Sequence, residues 1–187
     1  MSALTLYVIR HGECEHNVAG RVAARNDSPL TANGRMQARN NGRLLKRIVP
    51  DLSGVDFYAS PLHRTCTTME ILREAAGLPA TGYIADRRLM EIDMGDDTWK
   101  LPDEISHLGV EHWNHVRQGG ESMAMLFART GAFLRSLRRD AVLVTHAGPM
   151  RTIRGQLLAL SRRATLEYHP PNAGIVRLSG GTETQFD

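Results

Sequence analysis

The chain has 187 residues, 42% of them hydrophobic, which suits one domain with a substantial core, residues 1–187 as a single unit. Its net charge is +3, and the basic residues are arginines except for Lys46 and Lys100. No basic block with interleaved aromatics points to nucleic acid. No apolar run reaches about 18 residues and no basic start precedes the first one, so neither a membrane span nor a signal peptide is expected. A cytoplasmic location is the expectation.

The first element, over 4–10, has the length and β-branched, aromatic character of a central strand. It ends in Arg10-His11-Gly12-Glu13, where an open α/β sheet binds its ligands. Arginine grips phosphate with a planar fork, and a neutral histidine is a competent nucleophile near pH 7. Residues 12–30 are expected to be a mobile connection. A helix is predicted over 31–48, with Arg35, Arg39, Arg43 and Arg47 on a solvated face. A strand over 55–59 leads into a helix over 62–76, with Ser60 as N-cap and Pro61 opening it. That puts Arg64 in the first turn, aimed at any anion at the helix end. Cys66 reads as a small core residue, and Cys14, near the arginines, as an incidental thiol.

After a short strand near 82–85, Glu91 stands between apolar Met90 and Ile92, a setting expected to hold a proton for donation. Residues 93–120 read as a loop-rich substrate flap, with a helix near 101–117. His107, His112 and His115 lie there among Asp96, Asp97, Asp103 and Glu104. Their spacing matches no zinc pattern, so a surface flap is favoured over a metal site. A helix over 121–138 and a strand over 141–145 follow. His146 then repeats the arrangement at His11, between a strand end and a helix over 149–160 whose N-terminus favours anions. Strands near 174–179 and 182–186 close the chain. Strands alternating with helices predict a three-layer α/β/α sandwich around a mostly parallel sheet.

The motifs in this order resemble the histidine phosphatase superfamily, also called phosphoglycerate mutase-like, from about residue 6 to 178. They are Arg10-His11-Gly12-Glu13 with Asn17, Asp27-Ser28-Pro29-Leu30-Thr31, Ser60-Pro61-Leu62 with Arg64 and Thr68, and Glu91-Ile92-Asp93 with Gly95. Gly119-Gly120-Glu121-Ser122, Thr145-His146-Ala147-Gly148 and Asn172-Ala173-Gly174 complete the set. The resemblance implies that His11 becomes phosphohistidine, with Arg10, Arg64, His146 and Asn17 around the phosphoryl group. It implies Glu91 as proton donor to the leaving oxygen, and no metal or other cofactor. One departure concerns the rim: the segment 95–100 displaces a tryptophan and lacks its Glu-Gly partner.

The physics agrees with those roles, because phosphoryl transfer asks mainly for positioning and positive charge. A phosphatase acting on a small-molecule phosphate ester is the expectation. A cofactor-dependent phosphoglycerate mutase is the alternative, disfavoured because only 54 residues separate Glu91 from His146. Such a segment is too short to build a lid that excludes water. A non-catalytic phosphate-binding protein is the third reading, and a homodimer is left open. The acidic residues Asp93, Asp96, Asp97, Asp103 and Glu104 are rim candidates that would disfavour a polyanion, but the sequence places neither them nor the nearby arginines relative to the pocket. Arg21, Arg25, Arg87, Arg88 and Arg117 are candidates to offset them.

Overall fold

The structure, a computed structural model, describes residues 4–105 and 109–187. Six strands form one sheet: β1 (Thr5–Arg10), β2 (Asp56–Ala59), β3 (Ile84–Ala85), β4 (Ala141–Thr145), β5 (Ile175–Ser179) and β6 (Thr182–Phe186). Their order is β3-β2-β4-β1-β5-β6. The first four run parallel, and β5 and β6 add an antiparallel edge beside β1. All five residues of β4 are buried, as a central parallel strand covered on both faces requires.

Alternation along the strands divides the core. Val142 and Val144 of β4 and Ile9 of β1 join Leu44, Leu45, Met69 and Leu72 on one face. Those side chains come from α2 (Ala32–Ile48) and α3 (His63–Ala75). Leu143, Leu6 and Val8 point the other way, to Phe133, Met150 and Ile153. These belong to α4 (Met123–Ser136) and α5 (Ala147–Leu157). Three layers result, as the sequence predicts. A third cluster, with Ala24, Ile92, Met94, Ile105 and Leu126, underlies the loops at the carboxyl edge of the sheet.

The predicted helix over 101–117 does not form. Its described residues carry two short 3-10 turns, Pro102–Glu104 and Val110–His112. Gly109 interrupts the stretch, and polar His112 and His115 stand where an apolar stripe would have to continue, so packing cannot stabilise a longer helix. Residues 106–108, His107 among them, lie outside the described part. Two helices escape the sequence reading, α1 (Glu15–Val18) and α6 (Arg162–Leu166), being too short to show a 3.6-residue period. For α6 the available signal was Ser161, which caps it by accepting from the Ala164 N–H.

Two starts shift. Leu62, not Ser60, is the N-cap of α3, and the helix begins at His63. Helix α5 begins at Ala147 with His146 itself as N-cap, so Pro149 is its third residue. The Arg35, Arg39, Arg43 and Arg47 face is exposed as expected. Gly12 and Gly34 press the loop after β1 against the first turn of α2. A side chain on Gly12 would overlap the Gly34 carbonyl, and one on Gly34 the Glu13 carbonyl.

Candidate active site

Parallel register builds the centre of the site. Arg10 pairs with Thr145, so the next residues of the two neighbouring strands, His11 and His146, stand side by side. Their ring centroids are 5.1 Å apart. The third member comes from α3: Arg64 donates from Nε to His11 Nε2 at 3.3 Å and from Nη2 to His146 Nδ1 at 3.3 Å. The rest of its fork is held by the Ala24 and Asn26 carbonyls, at 2.8 and 2.7 Å, and by Asp27. Asp27 also accepts from the His63 and Arg64 backbone N–H groups. Arg64 is 3% exposed, so this cation is fixed before any ligand arrives.

The tautomers follow from the partners. The Gly12 carbonyl, 2.8 Å from His11 Nδ1, can only accept, so Nδ1 carries the proton and Nε2 keeps its lone pair. Burial, then Arg64, then Arg10 push the His11 pKa down to about 3, while the Gly12 bond opposes them. The ring is therefore neutral near pH 7. His146 lies well below the usual histidine range for the same reason: burial first, then His11 and Arg64. Its Nε2 sits 2.8 Å from Ser60 Oγ. The serine read as a helix cap thus orients the second histidine. The His11 backbone is pinned by the Asn172 side chain on its carbonyl, at 2.8 Å, and by its own N–H on the Thr145 carbonyl, at 2.9 Å. The Thr68 hydroxyl accepts from the Gly12 N–H.

Around this centre lies a cavity of about 520 Å³. Arg10, His11, Asn17, Arg64 and Glu91 line it together, whereas His146 is fully buried and meets it through Arg64. Arg10 donates from Nη1 to the Pro170 carbonyl at 2.9 Å and keeps a buried Nε with no hydrogen-bond partner. Burial lowers its pKa, and Glu91 opposes that. The Asn17 amide oxygen accepts from the Cys14 N–H at 3.1 Å and from its thiol at 3.2 Å. Cys14 is thereby tied into the first turn of α1.

The Glu91 carboxyl, beside Ile92 and Met94 in the cavity wall, is also anchored by backbone donors. Its Oε1 accepts from the Ile92 N–H at 2.8 Å and from the Gly148 N–H at 3.1 Å, in the first turn of α5. A side chain on Gly148 would overlap Oε1, so the carboxylate holds this position because the residue is glycine.

The structure places the rim candidates, which the sequence could not. Among the described residues none of Asp93, Asp96, Asp97, Asp103 or Glu104 lines the cavity. Asp93 is paired with Arg25 at 3.0 Å and Asp97 with Lys100 at 2.6 Å. Arg21, Arg117, Arg151 and His169 line it instead, so the described wall carries five arginines against one carboxylate. Arg21 and Arg117 are among the offsetting arginines of the sequence analysis, whereas Arg151 and His169 stand in no motif that marked them. Arg151 is anchored by the Tyr168 carbonyl at 2.6 Å. Segments 12–30 and 93–120 are joined at the rim, where Val22 exchanges backbone hydrogen bonds with Trp99 and Lys100. Among the described residues no group of three or more His, Cys, Asp or Glu side chains is placed to hold a metal ion. No helix among them is long and apolar enough to cross a membrane.

A six-stranded α/β sandwich carrying two strand-end histidines bridged by an arginine defines a phosphoryl-handling class of enzyme. The sequence profile of the histidine phosphatase superfamily, branch 1, matches residues 6–185, and the chain belongs to that family. It is 34% identical over 189 aligned residues to a probable phosphoglycerate mutase GpmB of Klebsiella pneumoniae, covering 94% of this chain and 84% of the relative. It is 33% identical to phosphoserine phosphatase 1 of Hydrogenobacter thermophilus, covering 83% of this chain and 76% of that one. The solved structure of Bacillus stearothermophilus YhfR superposes with a TM-score of 0.78 at 27% identity, covering 98% of this chain and 95% of the other.

Proposed function

We propose that the protein hydrolyses a small-molecule phosphomonoester, without a metal ion, through a phosphohistidine on His11. The observation that carries this reading is the Arg64 guanidinium between His11 Nε2 and His146 Nδ1. A lone pair and a fixed cation then meet at one wall of the cavity. Phosphoryl transfer needs an in-line nucleophile and positive charge on the equatorial oxygens, and this pairing supplies both.

In the first step the His11 Nε2 lone pair forms the N–P bond as the ester P–O bond breaks. Arg10, Arg64, His146 and Asn17 hold the phosphoryl oxygens. The Glu91 carboxyl gives its proton to the leaving oxygen. In the second step water attacks phosphorus, Glu91 takes the proton of that water, and the N–P bond returns its electron pair to His11. Inorganic phosphate and an alcohol are the products. Rapid quenching with a labelled ester tests this: an acid-labile, base-stable adduct on His11 is expected, with turnover that survives EDTA. An adduct on another residue, or a loss restored by one metal, overturns it. Labelled His11 with no turnover on any ester favours the non-catalytic reading.

The relatives named as probable phosphoglycerate mutases support a second reading, in which the phosphoryl group returns to the bound acid. Between Glu91 and His146, α4 takes 14 residues and β4 takes 5. Short turns occupy much of the remainder, a poor basis for a water-tight lid. With 3-phosphoglycerate as substrate, phosphate release faster than isomer formation is expected; the reverse ratio identifies a mutase.

A further inference from the structure

We propose that Glu121, through Arg25 and Arg129, is a positioning residue for the general acid: it holds the peptide that aims the Glu91 carboxyl. This rests on the phosphatase reading, in which Glu91 protonates the leaving oxygen.

The peptide between Glu91 and Ile92 is held at both of its polar atoms. Its carbonyl accepts from Arg129 Nη2 at 3.0 Å and from Arg25 Nε at 3.2 Å. Its N–H, on Ile92, donates to Glu91 Oε1 at 2.8 Å. A peptide unit is planar, so fixing the direction of its carbonyl fixes that of its N–H. The two arginines therefore orient a donor that holds the carboxyl. None of Arg25, Glu121 and Arg129 lines the described cavity, so they reach an ester only through other residues.

Two guanidinium groups converging on one carbonyl repel each other. Glu121 stands between them and offsets that repulsion. Its Oε1 accepts from Arg129 Nε at 2.9 Å and its Oε2 from Arg129 Nη2 at 2.9 Å, a bidentate pairing. Oε2 also meets Arg25 Nη2 at 2.9 Å and accepts from the Asp93 N–H at 3.1 Å. Burial by itself would raise the Glu121 pKa, but Arg129, the Asp93 N–H and Arg25 hold it below the usual carboxylate range. It is therefore charged at neutral pH. Arg129 is further held by the Arg88 carbonyl at 2.7 Å, and Arg25 by Asp93 at 3.0 Å. Residues 25, 91, 121 and 129, far apart in the chain, thus meet at the one peptide that faces the acid.

Leaving-group dependence separates positioning from a merely structural tie. Values of kcat/KM, which report the first transfer, are compared for an alkyl phosphate and p-nitrophenyl phosphate. The proteins are the parent, Glu121→Gln and Arg129→Lys, each with and without Glu91→Gln. Glu121→Gln is expected to slow the alkyl ester about tenfold or more, as slight misplacement of a catalytic group costs up to about a hundredfold. p-Nitrophenyl phosphate, which needs no acid, should lose less than about threefold. Arg129→Lys keeps the charge without the fork and should show the same pattern more weakly. Beside Glu91→Gln, neither change should cost the alkyl ester more than about twofold, because the group being positioned is gone. Equal losses on the two esters, no loss on either, or full losses that persist beside Glu91→Gln overturn the inference, as does failure of both variants to fold. Arg25 is left intact because the Ala24 and Asn26 carbonyls on either side of it hold Arg64. Glu91→Gln alone tells the two readings apart. If it damages both esters equally, Glu91 is not the acid and the underlying reading fails. A selective loss there, with none in the Glu121 and Arg129 variants, removes only the positioning role.

Discussion

The strand-end centre and the 93–120 rim are built on opposite plans. At the centre, His11, Ser60 and His146 each follow directly on a β-strand, and Arg64 is the second residue of α3. Sheet register and backbone carbonyls fix all four. At the rim, Met94, Pro102 and Arg117 reach the same cavity from bends and short 3-10 turns. Their positions depend on ion pairs, a few loop hydrogen bonds and the small cluster around Ile92, Met94 and Leu126. The lesson is a division of labour: regular structure holds the groups assigned to chemistry, and irregular structure decides what fits beside them.

The hardest blow to the centre is His11→Ala, expected to abolish hydrolysis of every ester while the circular dichroism spectrum is kept. Full turnover by that variant removes the nucleophile assignment. Next come Arg64→Ala and Arg10→Ala, each lowering kcat/KM at least about a hundredfold, as loss of one preorganised contact costs about 2.7–4 kcal/mol. Near-normal kinetics in both place the phosphate elsewhere. Gly148→Ala, which displaces Glu91 Oε1, and Glu91→Gln form a matched pair. Both should slow alkyl phosphates about a hundredfold through loss of the general acid. p-Nitrophenyl phosphate, whose leaving group needs no proton, should suffer much less in the first transfer and show a burst. Equal damage with both leaving groups points to a structural role for Glu91.

A smaller effect concerns stability. His11 titrates at about 3 in the folded chain, far below an ordinary histidine near 6.5. The unfolded chain therefore takes up a proton that the folded chain refuses. Its contribution is fully present above pH 6.5 and is lost as pH falls towards 3. From about pH 6.5 to 5 the loss is about 2 kcal/mol for this one site. His146 acts in the same direction. Urea unfolding of the parent and His11→Asn across that range should show a shallower slope in the variant. Least affected is the rim surface: Asp103→Ala should stay within about 0.5 kcal/mol and about twofold in kcat/KM. A large effect there breaks the comparison.

The centre was readable because its signals are local. A buried strand run followed by Arg-His-Gly marks a sheet edge, and its repetition at Thr145-His146 marks the neighbouring strand. The rim was not readable because its charges cancel across long sequence separations. Asp93 meets Arg25, and Glu121 meets both Arg25 and Arg129. Counting acids between 93 and 104 therefore says nothing of the charge at the cavity, which depends on which of them are paired away from it. Ser60 misled for a related reason: a serine before a proline is a sound cap signal, but its hydroxyl is held by a histidine 86 residues away.

The close approach of Gly34 to the Glu13 carbonyl turns a common engineering rule against itself. Replacing a helical glycine by alanine ordinarily raises thermal tolerance, because alanine has the better helix propensity and a less disordered unfolded chain. Here the added methyl would push on the turn that carries His11. Gly34 lines no part of the cavity, so a thermostabilising library that spared every pocket residue would still carry an inactivator in the first turn of α2. Such a library has to be sorted by turnover as well as by melting point.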